Sequence, residues 1–442
     1  MVLKLYNTLT RKKQVFKSIK DKEVRMYVCG PTVNGVPHLG HARQQVTFDI
    51  LRKFLKYSGY KVKFVSNITD IDDKIINKAR ELHEDIKKFT EKNLKAHLED
   101  YAKIGVDKPD VQPKATEYVK EMIKVIELLE KKGYSYVIEE DGVYFDISKF
   151  KDYGKLSHQD VENLLGGARV KENSEKRNKE DFVLWKFSKE NEPFWESPWG
   201  KGRPGWHIEC SAMSEAILGL PFDIHGGGQD LMFPHHEDEL AQSEAAFGKK
   251  FVNYWVHNGM VNVDNVKMSK SLGNFKTIRD LLGEYSGEVI RYFVITNQYS
   301  KPLDFTKKSL DEAKVAYERM KNLIFLIKDD GKTNEHYLKE FVKAMDDDLN
   351  TPRALATLWN LVRDDKAEGK INTIKEIDKV FDLKLLEREK ISVPAEVRKL
   401  GEEREKARQM KNWKLADELR DKINKQGFVV NDTPDGYEIR KA

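Results

Sequence analysis

Two histidines, His38 and His41, stand three residues apart around Leu39 and Gly40, just after a short apolar run has ended. Histidines on the first turn of a helix can point together at a phosphate, because helix N-termini favour anions and a glycine lets a nucleotide approach the backbone. Far along the chain, Lys267-Met268-Ser269-Lys270-Ser271 gathers two cations and two hydroxyls, followed by Leu272-Gly273-Asn274. Such a segment suits a triphosphate whose charge shifts during displacement at the α-phosphorus. Each motif has an ordinary reading, a capped helix end or a basic surface loop. The two in one chain are far less common.

The only two cysteines, Cys29 and Cys210, each lie among glycine, histidine and acidic residues. Free cysteines usually behave as small buried hydrophobes, and in a reducing cytosol a structural disulfide is not expected. The alternative is metal chemistry, since zinc takes Cys, His and carboxylate ligands, four in structural sites and three plus an open position in catalytic ones. In the segment 233–239, Pro234 suits a first helical position. His235 and Glu239 then share a face four residues apart. His236, turned away by about 100°, and Glu237 are the nearest decoys.

These side chains need elements to hold them. Residues 24–28 read as a short buried parallel strand, which breaks at Cys29-Gly30-Pro31-Thr32. A helix can start near His38, with apolar positions at Val46, Phe48, Ile50, Leu51, Phe54 and Leu55. Gly59 caps it, and residues 60–66 return as a second strand by alternation. That is a βαβ unit of a doubly wound α/β fold, whose ligands bind at the carboxyl ends of the strands. The pattern is helical over 71–132. It then turns to strand-like pieces at 134–138 and 142–146 and to a charged, exposed loop at 170–181. Strand–helix–strand character resumes at 222–225, 234–247 and 251–257. After 276 the chain is mainly helical through 381. A charged linker is expected at 383–390, then helices at 395–411 and 414–426 and a hairpin through Thr433-Pro434-Asp435-Gly436.

At 442 residues the chain is too long for one core, so several domains are expected. No apolar run approaches the roughly 20 residues that span a bilayer, and residues 1–20 lack a secretory h-region, so the cytoplasm is expected. With 78 basic against 73 acidic residues, the net +5 permits an anionic partner without demanding one. The absence of a sustained exposed apolar heptad leaves a monomer as the expectation.

The histidine and lysine motifs together resemble the two ATP-binding sequences of class I aminoacyl-tRNA synthetases. Several stretches are similar to cysteinyl-tRNA synthetases specifically: Tyr27-Val28-Cys29-Gly30-Pro31-Thr32, Asn67-Ile68-Thr69-Asp70-Ile71-Asp72-Asp73-Lys74, Gly205-Trp206-His207-Ile208-Glu209-Cys210 and His225-Gly226-Gly227-Gly228. So are Asp230-Leu231-Met232-Phe233-Pro234-His235-His236-Glu237 and Met345-Asp346-Asp347-Asp348-Leu349-Asn350-Thr351-Pro352. The resemblance runs over nearly the whole chain. It implies a Rossmann-like catalytic domain in two halves, 1–118 and 201–260, around a connective insertion at 119–200. It further implies a stem-contact region at 261–310, a helical tRNA-binding bundle at 311–390 and a small mixed anticodon-binding domain at 391–442.

The resemblance also implies residue roles. The family places one zinc ion on the positions of Cys29, Cys210, His235 and Glu239. His38, His41, Lys267 and Lys270 would handle the phosphates of ATP, which Mg²⁺ would accompany. Thr69, Trp206 and the backbone of Gly30 would line a pocket for L-cysteine, and His225 would support the metal or the substrate. Asp230, after a glycine run that includes Gly227, would hold the ATP ribose. Arg408, Asp417 and Asp432 would contact bases of tRNA(Cys), since arginine can bind guanine edges and aspartate can accept from cytosine. Zinc would tell cysteine from serine by preferring a thiolate, a choice that shape alone makes poorly. Two other readings remain. One is a cysteine ligase acting on an amino sugar, whose relatives lack a C-terminal block like 395–440. The other is a non-catalytic zinc-containing RNA-binding protein, which would have no use for two phosphate motifs.

Overall fold

The computed structural model describes residues 2–159, 175–268, 273–387, 394–433 and 436–441. A hairpin of β1 (Lys4–Asn7) and β2 (Lys12–Val15) leads into β3 (Glu23–Val28). Val24, Met26, Tyr27 and Val28 of β3 are all buried, so the strand has apolar neighbours on both faces, as a central parallel strand requires. Helix α1 (Leu39–Tyr57) starts from His38 as its N-cap, and Gly59, at φ +86°, turns the chain into β4 (Lys61–Ser66). β4 lies parallel to β3, which completes the βαβ unit expected from the sequence.

The helical stretch expected over 71–132 is divided into α2 (Asp73–Glu81), α3 (Ile86–Lys103) and α4 (Val119–Lys131). Between the last two, the chain runs beside the end of β4, with Ser66 N donating to Val111 O and Ile68 N to Pro113 O. A second, antiparallel sheet follows, of β5 (Ser135–Ile138), β6 (Gly142–Phe145), β7 (Phe182–Phe187) and β8 (Gly202–Pro204). Its last two strands were not legible in the sequence. Of the loop expected at 170–181, residues 170–174 lie outside the described residues, and its end is not exposed. Asp181 is buried, accepting from Tyr136 Oη at 2.7 Å and Ile147 N at 3.0 Å.

Helix α5 (Trp206–Leu218) leads to β9 (Phe222–Gly228), α6 (Glu237–Phe247) and β10 (Val252–Asn258). The strand expected at 222–225 therefore continues through the three glycines. The main sheet has the order β10-β9-β3-β4 with every pair parallel. One core joins α1 to the C-terminal bundle, and the other joins α4, α5 and α6 to the inserted sheet.

β11 (Val261–Val263) and β12 (Val266–Lys267) precede α7 (Ile278–Leu282), α8 (Gly287–Ile295) and β13 (Leu303–Phe305), which pairs with β11. Helices α9 (Lys307–Phe325), α10 (Glu335–Asp346), α11 (Thr351–Arg363) and α12 (Lys370–Phe381) form the bundle. Arg291 of α8 fastens it to α1, donating to Phe381 O of α12 at 2.6 Å and pairing with the buried carboxylate of Asp49. The linker expected at 383–390 begins inside this core, since Leu383 and Leu385 are fully buried; 388–390 lie outside the described residues. Helices α13 (Ala395–Gln409) and α14 (Trp413–Lys425) with β14 (Phe428–Thr433) and β15 (Gly436–Lys441) close a small core of their own around Val397, Ile423 and Val430. Among the described residues no helix is long and apolar enough to cross a membrane.

Candidate active site and metal centre

Because β3 and β9 are neighbours, the carboxyl end of β3 brings Cys29 against the helices that flank β9, where Cys29 N donates to Gly226 O at 3.1 Å. Helix α5 supplies Cys210. A break at Phe233, whose backbone is extended, sets His235 at the entry of α6, and Glu239 follows one turn later. Cys29 Sγ lies 3.5 Å from Cys210 Sγ and 3.2 Å from Glu239 Oε1, and His235 Nε2 lies 3.0 Å from the same oxygen. All four side chains are buried.

The donor set fits a zinc ion. With Zn–S near 2.3 Å and Zn–N and Zn–O slightly shorter, the edges of a ligand tetrahedron run about 3.3 to 3.8 Å. The observed separations approach that size. Burial alone would raise the Glu239 carboxyl, but His225 and His235 outweigh it and hold the group well below the usual carboxylate range. Burial also opposes charge on His235, yet Glu239 and Cys210 lift its ring to about 10. The Cys210 thiol, pushed up by burial, is brought down to about 7 by its contacts with Cys29 and His235, while burial drives Cys29 well up. Two thiols, an imidazole and a carboxylate in one buried group are a donor set of the kind that zinc uses.

A shell of histidines surrounds and orients these side chains. His225 Nε2 sits 2.7 Å from Glu239 Oε2, and His207 Nδ1 sits 2.8 Å from His235 Nδ1. His207 in turn faces Asp238, which accepts from Tyr153 Oη at 2.5 Å. His236 turns away from the group of Cys29, Cys210, His235 and Glu239, as the helix angle suggested. It is buried, bonded to His257 at 2.7 Å, and forms with Cys29, His225 and Glu239 a second overlapping group of potential ligands.

A cavity of about 520 Å³ opens at the carboxyl ends of the main strands and is lined by Gly30, His38, His41, Trp206, Asp230 and Lys267 among others. The Trp206 indole stacks on His235 at 4.1 Å between centroids. Thr69 is buried, its hydroxyl donating to Glu209 Oε2 at 2.6 Å. Gly227 pairs with His257 across the sheet, and of the glycine run it is Gly228 that reaches the cavity wall. Gln44, which no sequence signal singled out, staples the two central strands. Its amide donates to Cys29 O at 2.7 Å and accepts from Gly228 N at 3.1 Å.

The paired histidines cap α1 reciprocally. His38 Nδ1 accepts from Gly40 N, and His41 Nδ1 accepts from His38 N, both at 3.1 Å, with the rings 3.8 Å apart. A side chain on Gly40 would meet the His38 ring, so the glycine serves the cap as well as any nucleotide. Behind them stands His97, missed in the sequence, which holds Gly35 O through Nε2 and packs edge-on to His41. Burial keeps its ring down to about 4, hence neutral. Lys267 is exposed on β12 at the cavity edge, and Lys270 lies outside the described residues.

In the C-terminal domain, Asp432 pairs with Arg404 at 2.8 Å and Arg408 at 2.7 Å, while Asp417 pairs with Arg420 at 2.9 Å. Trp413, absent from the sequence-based candidates, is 57% exposed, with the Arg408 guanidinium 5.8 Å from its ring. An open aromatic face beside an arginine is an arrangement on which an unstacked base can stack.

Three family models match the chain. The class I (C) tRNA synthetase catalytic domain covers residues 15–315, the DALR domain 340–385, and the cysteinyl-tRNA ligase anticodon binding domain 392–440. The cysteine–tRNA ligase of Haemophilus influenzae is 44% identical across 100% of both chains. That of Thermococcus gammatolerans is 46% identical over 99% of this chain and 98% of its own. Among solved structures, a methionyl-tRNA synthetase of Mycobacterium tuberculosis in complex with methionyl-adenylate superposes with a TM-score of 0.58 at 14% identity, covering 82% of this chain and 88% of that one.

Proposed function

The chain belongs to the cysteine–tRNA ligase family of class I synthetases, and from that premise we propose the chemistry of its site: L-cysteine is activated with ATP and transferred to the 3′ end of tRNA(Cys). The observation that carries this reading is the buried group Cys29, Cys210, His235 and Glu239, roofed by Trp206 beside a cavity flanked by both phosphate motifs. Those four residues would hold zinc. When bound, the ion supplies a soft Lewis acid that favours a thiolate over an alcohol. The overlapping group that substitutes His225 and His236 has one sulfur fewer, so it suits a soft ion less.

The substrate carboxylate attacks the α-phosphorus of ATP, a P–O bond breaks, and pyrophosphate leaves. A terminal ribose hydroxyl of tRNA then attacks the adenylate carbonyl, and AMP leaves. No side-chain nucleophile takes part, so the residues position reactants and stabilise charge. Trp206 and Thr69, with the Gly30 backbone, shape the cysteine pocket, and His225 orients Glu239. Asp230 and the strand end at Gly228, with Gly227 just before it, hold the nucleoside. His38, His41, Lys267 and Lys270 meet the phosphates, which arrive with Mg²⁺. The division at 1–118, 119–200, 201–260, 261–310, 311–390 and 391–442 then separates activation from tRNA reading. The anticodon-domain match over 392–440 supports tRNA over an amino sugar as the acceptor.

The test is cysteine-dependent ATP–pyrophosphate exchange, with serine as control and metal content measured on the same sample. Exchange with cysteine, none with serine and about one zinc per chain is the expected result. No exchange despite bound zinc would sink the reading in favour of a non-catalytic RNA-binding protein. Asp432→Ala is expected to reduce tRNA charging efficiency by about tenfold or more, since it frees Arg404 and Arg408 from their fixed geometry. Pyrophosphate exchange should stay at the wild-type rate. Equal loss in both assays would mean that the substitution acts through folding.

A further inference from the structure

Lys74 occupies the second position of α2, where its backbone N–H is capped by Asp72, and its side chain lines the active-site cavity. The ammonium lies 5.8 Å from the centroid of the Trp206 ring, a cation–π contact, and Trp206 is itself stacked on His235. The neighbouring carboxylates are occupied: Asp73 is paired with Lys186 and Arg203, and Asp72 accepts the cap hydrogen bond. Lys74 enters from the end of the edge strand β4, whereas Lys267 and Asp230 enter from beyond β10 and β9. Among the described residues the cavity wall carries two lysines, Lys74 and Lys267, supplied by elements far apart in the chain. Lys74 is on the side where the tryptophan roofs the metal-ligand group.

Building on the proposed reaction, the geometry points to Lys74 as the residue that binds and aims the carboxylate of the substrate amino acid. Cysteine activation needs its carboxylate oxygen fixed for in-line attack while its sulfur is anchored among Cys29, Cys210, His235 and Glu239. A substrate whose thiol sat in that group and whose carboxylate extended into the cavity would meet Lys74 on the wall beside Trp206, where the ammonium supplies a full positive charge. The indole under the ammonium restricts where that charge can go. Lys74 thereby selects an α-carboxylate, and its attraction also offsets part of the repulsion between that carboxylate and the triphosphate.

The test compares cysteine with cysteamine, which keeps the thiol and amine but lacks the carboxylate. Lys74→Met retains an alkyl chain on Trp206 and removes the charge. It is expected to raise the KM for cysteine in exchange by roughly 10- to 100-fold, the range for losing a hydrogen bond to a charged group. The KM for ATP should stay within about twofold, and so should the dissociation constant of cysteamine read by quenching of tryptophan fluorescence, with Lys74→Arg recovering most of the loss. An equal weakening of cysteamine would overturn the proposal in favour of a packing role under Trp206, and a larger rise in KM for ATP would reassign the lysine to the phosphates. Wild-type protein without cysteine-dependent exchange would remove the reaction itself, a failure distinguishable from both.

Discussion

Cys210→Ser is expected to remove bound metal and cysteine activation together, with zinc falling from about one to well below one per chain and exchange falling by roughly a thousandfold or more. The substitution is nearly isosteric, so the reason is electronic. A serine hydroxyl stays protonated near neutral pH and is a hard donor, whereas Cys210 is the thiol of the pair that its surroundings bring down, to about 7. Its sulfur is also 3.5 Å from Cys29 Sγ and 3.7 Å from Asn67 Oδ1, so the change touches the ends of both β3 and β4. Metal bound only by the folded state stabilises it by an amount that rises with the logarithm of ligand excess. The melting temperature of the variant should therefore match that of wild-type protein stripped with a chelator. A variant carrying full zinc and activating cysteine at the wild-type rate would overturn the ligand assignment.

The sequence marked some of this site well and some of it poorly, and the difference is one of locality. His235 and Glu239 share a helix turn, and His38 caps the helix that begins beside it, so short-range periodicity places them. β3, α1 and β4 were likewise legible, because an apolar run, a glycine and an alternating strand follow in immediate succession. Cys29 and Cys210 are separated by 181 positions, and only the parallel pairing of β3 with β9 brings them together. In the sequence alone, that convergence rests on family resemblance. β7 was missed for the same reason, since its antiparallel partner β6 lies some forty positions earlier across the charged segment at 170–181, and β8, three residues long, pairs only with β7. Gln44 and His97 sit at ordinary places on helical faces, where nothing in composition separates a staple from a solvated polar residue. His236 shows the limit of the angular argument, since turning away from one ligand group carried it into contact with the other.

Gly30→Ala is expected to cost about a hundredfold or more in exchange, and at least about 2 kcal/mol in stability, although the added atom is a single methyl. The backbone at Gly30 is one that any residue can adopt. The constraint is contact, because a Cβ there would sit 1.5 Å from Asn67 O and 2.6 Å from its carbonyl carbon. Neither partner is a flexible side chain that could swing aside. Asn67 also accepts from Gly30 N through Oδ1 at 2.8 Å, and just beyond it Thr69 N donates to Pro31 O at 3.1 Å. Separating these segments by the required ångström or more would move Cys29 on one side and Thr69 on the other, spoiling metal ligation and the substrate pocket at once. Gly59→Ala provides the contrast. That glycine has φ +86° with nothing within 4 Å of where a methyl would stand, so alanine there should cost about 1 kcal/mol of backbone strain and leave exchange unchanged. Thermal melts and exchange rates of the two variants decide the matter. Equal, small effects at both glycines would mean that the β3 and β4 ends part easily and that Gly30 does not fix the geometry of the site.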